Sequence, residues 1–231
     1  MPLKLSLLLS LKLLLNDDIS QLLNNSKKYI PANSEISKLI NQIQEWHQKY
    51  SDWNISLKKI INNYGYDKYL GSCHVIPNHA LIIMSLLYGE GDFNRSMNII
   101  NSAGWDTDCN SGNVGCILGI KNGLKGFEKG RDWRSPVKDI MYCPTANGGE
   151  TITDALREAY KIINITRKIN NEKPLQPKNN ARFHFEMPGS MQGWGLKSSK
   201  NTSLKNVSYE SGYGNRALEI SYKNLTSKDK I

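Results

Sequence analysis

The chain is predicted to be all-α over most of its length, with a short β-rich segment at its C-terminal end. Apolar residues recur at three- and four-residue spacing from Asp17 to about Asn170. Hydrophobic residues make up 39% of the 231 residues, enough for one sizeable helical core and an appendage. Beyond Pro174 the period shifts from 3.6 to 2 and Gly/Ser/Asn turns become frequent.

The elements follow in order. Ile19, Leu22 and Leu23 mark a first helix that starts at Asp17 and Asp18 and breaks near Pro31. Ser34 is placed to cap a second, through Ile36, Leu39, Ile40, Ile43 and Trp46. A third runs from Ser56 through Ile60 and Ile61 to the Gly65 stop, and Tyr64, Tyr66 and Tyr69 mark the loop beyond. The stretch from His74 to Tyr88 is apolar on most sides, so it reads as a buried helix. Helices over Phe93–Ala103, Thr107–Leu124 and Thr151–Ile169 complete the series, with Asp92 placed to cap the first of these. Residues 1–170 therefore form the helical domain, 171–181 a Pro- and Asn-rich linker, and 182–231 the β-rich segment. In that segment Arg182–Glu186 alternates and Ala217–Tyr222 reads as a strand; about fifty residues fall short of a full sandwich.

Composition removes some function classes. Thirty Lys and Arg against 21 Asp and Glu give a net charge of +9, which favours anionic partners in general. The cations are scattered, without the aromatic interleaving of a nucleic-acid groove, so no nucleic-acid partner is expected. Met1–Leu15 is leucine-rich behind Lys4, but Lys12 interrupts it and it falls short of the ~20 apolar residues of a membrane span. No membrane partner is expected; the run reads as a core helix or the start of a truncated reading frame. Cys73, Cys109, Cys116 and Cys143 form no CxxC pair or zinc spacing. Free, mostly buried thiols and a cytoplasmic location are expected, with secretion as the alternative.

The chemistry concentrates in Gly104-Trp105-Asp106-Thr107-Asp108-Cys109-Asn110. Carboxylates two apart do not share a face inside a helix. At a helix start they can converge on one cation, Asp106 from the cap and Asp108 from the first turn. The competing reading is that both only cap the helix and complement its dipole, worth about 0.3–1 kcal/mol each. Gly112, Gly115 and Gly119 follow at helical spacing and point to close packing against another element. An EF-hand is excluded, because its glycine and bidentate Glu positions hold Ser111 and Ile117.

Gly89-Glu-Gly-Asp-Phe93, Asn101-Ser-Ala-Gly-Trp-Asp-Thr-Asp108 and the glycine-spaced helix resemble the C-terminal signature of the ADP-ribosylglycohydrolase family. That family includes dinitrogenase-reductase-activating glycohydrolases and J1 crystallins; Gly71–Asn78 also fits, and the likeness runs from about Asp17 to Ile169. The resemblance implies an all-α bundle with two Mg²⁺ or Mn²⁺ ions that hold a ribose during glycosidic hydrolysis. It assigns metal binding to Asp106 and Asp108. The family's ligating Thr falls on Cys109, a soft donor for Mg²⁺. The family's Gly-Asp-rich segment and Thr-Asp-Asp motif have no counterpart in the sequence, so the bundle and its metal site are expected to be incomplete, a fragment of the whole. His74 and Tyr66 are candidate substrate-side residues, beside the alternatives of a satisfied core histidine and ordinary aromatic packing. The implied substrates are ADP-ribosylated protein or small ribosyl compounds, with a carbohydrate or docking partner for the β-rich segment. A catalytically inactive binding or structural member is the alternative.

Overall fold

The computed structural model describes residues 18–71, 73–142, 152–197, 200–210 and 214–224. The leucine-rich run 1–15 and Cys143 lie outside them. The chain is mostly helical, with two small antiparallel sheets toward its C-terminus. It divides into two compact units, one ending at Arg131 and the other beginning at Asp132.

The first unit contains α1 (Ile19–Lys27), α2 (Glu35–Lys49), α3 (Trp53–Tyr64), α4 (Val75–Gly89), α5 (Phe93–Ser102) and α6 (Thr107–Asn122). Side chains set most of the starts by accepting an otherwise unpaired N–H. Asp18 accepts from Gln21 at 2.7 Å, Ser34 from Ser37 at 3.2 Å and Asp52 from Asn54 at 2.9 Å. Asp92 accepts from Arg95 at 2.7 Å. The Asp52 cap explains why α3 begins at Trp53 and not at Ser56. Ser56 lies on its inner face, where its hydroxyl meets the Tyr88 hydroxyl at 2.7 Å.

Helix α4 is the centre of this unit and packs against α1, α2, α3, α5 and α6. Ala80, Leu81, Ile83 and Met84 are fully enclosed, which is why the sequence is apolar on nearly every side there. Truncating Leu81 to Ala would cost about 2–5 kcal/mol. The close helix approach is at Gly89, where an added Cβ would lie 1.8 Å from Ser96 Oγ and 2.9 Å from its Cα. The packing expected of the α6 glycines is not found among the described residues. Gly112 faces open space, and Gly115 and Gly119 would meet Met97 and Phe127 only at ordinary distances of 3.8 and 3.7 Å. Nor are the thiols buried: Cys73, Cys109 and Cys116 are free and exposed. The last two lie on α6 away from its inner residues Val114, Ile117 and Leu118.

The second unit holds a hairpin of β1 (Ile140–Tyr142) and β2 (Ile152–Asp154), paired Ile140 to Asp154. Helix α7 (Ala155–Ile169) follows, capped by Asp154 at 2.9 Å from Arg157 N. Residues 152–154, read as the start of this helix, are therefore strand. A second hairpin pairs β3 (Thr202–Ser208) with β4 (Arg216–Tyr222). The strand predicted at 217–222 is present; its partner β3, mostly polar in sequence, was not read. The segment 171–181, linker by composition, is tied to α7. The Asn164 amide donates to Leu175 O at 3.1 Å and accepts from its N–H at 2.7 Å. Residues 170–181 fall within the second unit.

The alternation at 182–186 survives without a strand. His184 and Glu186 point inward, while Phe183 is 41% exposed. Gln192 is the reason. Its Oε1 accepts from the N–H groups of His184 and Phe185 at 2.9 Å each, and its Nε2 donates to the Asp154 carboxylate at 3.3 Å. No helix among the described residues is long and apolar enough to cross a membrane.

Candidate metal site at the start of α6

The loop into α6 turns on two residues with positive φ, Gly104 at +87° and Trp105 at +58°. Glycine takes that conformation freely, whereas tryptophan in it is strained by about 1–3 kcal/mol. The Trp105 ring stacks on Tyr66 with centroids 5.0 Å apart, a contact that holds the turn. Asp106 then falls at the cap position and Asp108 in the first helical turn.

The cap position is filled but not used. The Asp106 carboxylate accepts from no backbone N–H in the first turn of α6, unlike the residues that cap the other six α-helices among the described residues. Its Oδ2 instead accepts from Asn78 Nδ2 at 3.3 Å. Asp108 and Cys109 are exposed. One ligand atom from each of Asp106, Asp108 and Cys109 lies within 4.8 Å of the other two. Among the described residues this is the one group of three or more His, Cys, Asp or Glu side chains so arranged.

Two carboxylates at that separation repel, and a cation between them would relieve the repulsion. The hydrogen bond from the Cys109 thiol to Asp106, with the negative charge of Asp106 and Asp108 behind it, raises the thiol above its ordinary range. Cys109 therefore carries its proton at neutral pH. The donor set fits a hard divalent cation at two positions and meets it with a soft, protonated sulfur at the third.

Tyr66 and His74 take different places. The Tyr66 hydroxyl donates to Asn78 Oδ1 at 2.8 Å, one step from Asp106. Burial, ahead of the neighbouring negative charge of Asp106, pushes its phenol up. His74 is neither a core histidine nor part of α4 proper. It stands at the cap of α4, where its Nδ1 accepts from Ile76 N at 3.2 Å, and its ring lies 5.1 Å from Tyr69. The histidine with a buried nitrogen is His79, whose Nε2 has no partner among the described residues and whose imidazole burial pushes down to about 4. Sequence reading missed Asn78, which links Tyr66 to Asp106, and Asn110, which donates to Asn78. Polar residues at inward positions of two apolar-faced helices were the available signal. A groove of about 730 Å³ between α7 and residues 174–184 is lined by none of the cluster residues.

The first unit thus presents an acidic pair at the start of a glycine-spaced helix. The family model of the ADP-ribosylglycohydrolases matches residues 5–169, ending at the last residue of α7. The chain belongs to that family of hydrolases. Searches of curated proteins and of solved structures return no match.

Proposed function

We propose that this chain supplies part of the metal site of a hydrolase acting on ADP-ribosyl or related ribosyl glycosidic bonds. Asp106 and Asp108 would hold Mg²⁺ or Mn²⁺, with Cys109 beside them. The observation that carries this reading is the Asp106 carboxylate, which stands at a helix cap without capping and lies with Asp108 and Cys109 within 4.8 Å. A bound ion would orient the ribose hydroxyls and act as a Lewis acid. The protein's own part is to neutralise that charge, and to stabilise with carboxylates the positive charge that develops at the anomeric carbon. Asp108 shares a helical face with Gly112 and Gly115, and the open space at Gly112 leaves room for a ligand there. Tyr66, stacked on Trp105, and His74 at the head of α4 are the substrate-side candidates. The exposed free cysteines accord with a reducing, cytoplasmic setting.

The test is release of ADP-ribose from arginine- or serine-linked peptides by the full-length protein in Mg²⁺ or Mn²⁺, resolved by chromatography. Release that EDTA abolishes is the expected outcome; release indifferent to EDTA, or none beside an unmeasurable metal affinity, refutes it. One observation favours a second reading, a binding member without turnover: the protonated thiol of Cys109 where the family places a hydroxyl. Tight binding of ADP-ribose with no hydrolysis would select it.

A further inference from the structure

The start of α4 carries a buried amide that faces the acidic pair. Asn78 is only 7% exposed, and Asn110, one turn into α6, only 1%. An ionised carboxylate can only accept, so the Asn78 group 3.3 Å from Asp106 Oδ2 must be its NH₂. That fixes the rest of the amide. Its Oδ1 faces the Tyr66 hydroxyl at 2.8 Å and Asn110 Nδ2 at 3.3 Å, and both must donate to it. Every donor in the chain then points toward Asp106, and Trp105 holds the Tyr66 ring in place.

We infer that Asn78 is a positioning residue, drawing the Asp106 carboxylate away from the α6 cap so that it stays available to a cation. The inference rests on the reading of Asp106 and Asp108 as metal ligands. The backbone N–H groups at the start of α6 and the Asn78 amide compete for one carboxylate. Asp92, at the same position of α5, bonds the Arg95 N–H. Removing the Asn78 amide should let Asp106 do the same and turn away from Asp108.

The experiment titrates the full chain with Mn²⁺ alone, by calorimetry, in the parent and in Asn78→Leu, Tyr66→Phe and Asp106→Ala. Asn78→Leu is expected to weaken Mn²⁺ binding about tenfold, in the range typical of groups that orient a metal ligand. Tyr66→Phe should weaken it about two- to threefold. In metal-free Asn78→Leu, NMR should show the Asp108 and Cys109 amide protons exchanging more slowly, because a new cap protects them. A merely structural role for Asn78 predicts no such protection. Asn78→Ser, which adds no bulk, replaces Asn78→Leu if that variant does not fold. Parent-like Mn²⁺ affinity in the Asn78 variant overturns the inference, and so do unchanged amides. If Asp106→Ala alone loses Mn²⁺, only the inference falls; if the parent binds no Mn²⁺, the metal reading falls with it.

Discussion

Helices α5 and α6 follow one another, and each begins at an aspartate. At Asp92 the carboxylate accepts from the N–H three residues on, at 2.7 Å. At Asp106 it makes no cap bond and reaches instead to Asn78 and to the Cys109 thiol. One residue type at one helical position thus has two destinations. What differs is the surroundings: each helix is entered through two left-handed residues, Glu90 and Gly91 before Asp92 and Gly104 and Trp105 before Asp106, but across from Asp106 lies the Asn78 amide. Position in a helix does not by itself assign a carboxylate its role.

The largest effect should come from breaking the acidic pair. Asp106→Ala or Asp108→Ala is expected to lower Mn²⁺ affinity by about 100-fold or more, since each removes a hard anionic ligand. Calorimetric titration checks this, and retained affinity would reduce both aspartates to ordinary helix starts. In urea, Asp106→Asn should stay within about 0.5 kcal/mol of the parent, as no cap bond is lost.

The pH at which the comparison is made comes next. His79 sits beside Asn78, and its burial lowers the folded-state pKa to about 4 from the ordinary 6.5. Between those values the unfolded chain binds the extra proton. The stability due to neutral His79 is therefore full above pH 6.5 and is lost as pH falls toward 4, by about 3 kcal/mol in all. Urea unfolding at pH 7.5 and 4.5 should show the decline, and His79→Leu should flatten it. An equally steep decline in the variant would place the titrating group elsewhere. Metal titrations belong above pH 6.5, where His79 adds no pH dependence.

A smaller effect is expected at the capping aspartate. Asp92→Ala should cost about 1 kcal/mol of stability, the usual value of a cap, and leave Mn²⁺ affinity unchanged. A change in metal affinity there would erase the distinction between the two helix starts. The smallest effect is the sharpest in chemistry. Cys109→Thr, which puts a hydroxyl oxygen in place of the protonated sulfur, should tighten Mg²⁺ binding about threefold and weaken Cd²⁺ binding. Equal affinities for both ions in the two proteins would remove Cys109 from the site.

Much of the first unit was legible because local rules and burial agree there. The apolar run at 75–89 has no polar face, so it had to be enclosed, and Ser34 and Asp92 stand where side chains cap helices. The second unit was less legible, since its interior at 182–192 is polar. Gln192 holds His184 and Phe185 through backbone bonds, and the alternation by itself does not show that His184 and Glu186 face inward while Phe183 is exposed. The α6 glycines misled for a related reason. Spacing shows that a helix can be approached closely; it does not show where, and the close approach is at Gly89.

By itself, the sequence determined the helical class, the order of the main elements and the family signature around Asp106 and Asp108. Each of these is written in residue types at short separations, through periodicity, caps and a contiguous motif. Tertiary structure alone decided that Asp106 leaves its cap, that Tyr66 and not Tyr64 or Tyr69 joins its network, and that His74 caps while the His79 Nε2 is buried. Those outcomes depend on Asn78, 28 residues from Asp106 along the chain, and only packing α4 against α6 brings such distant groups within reach of one hydrogen bond.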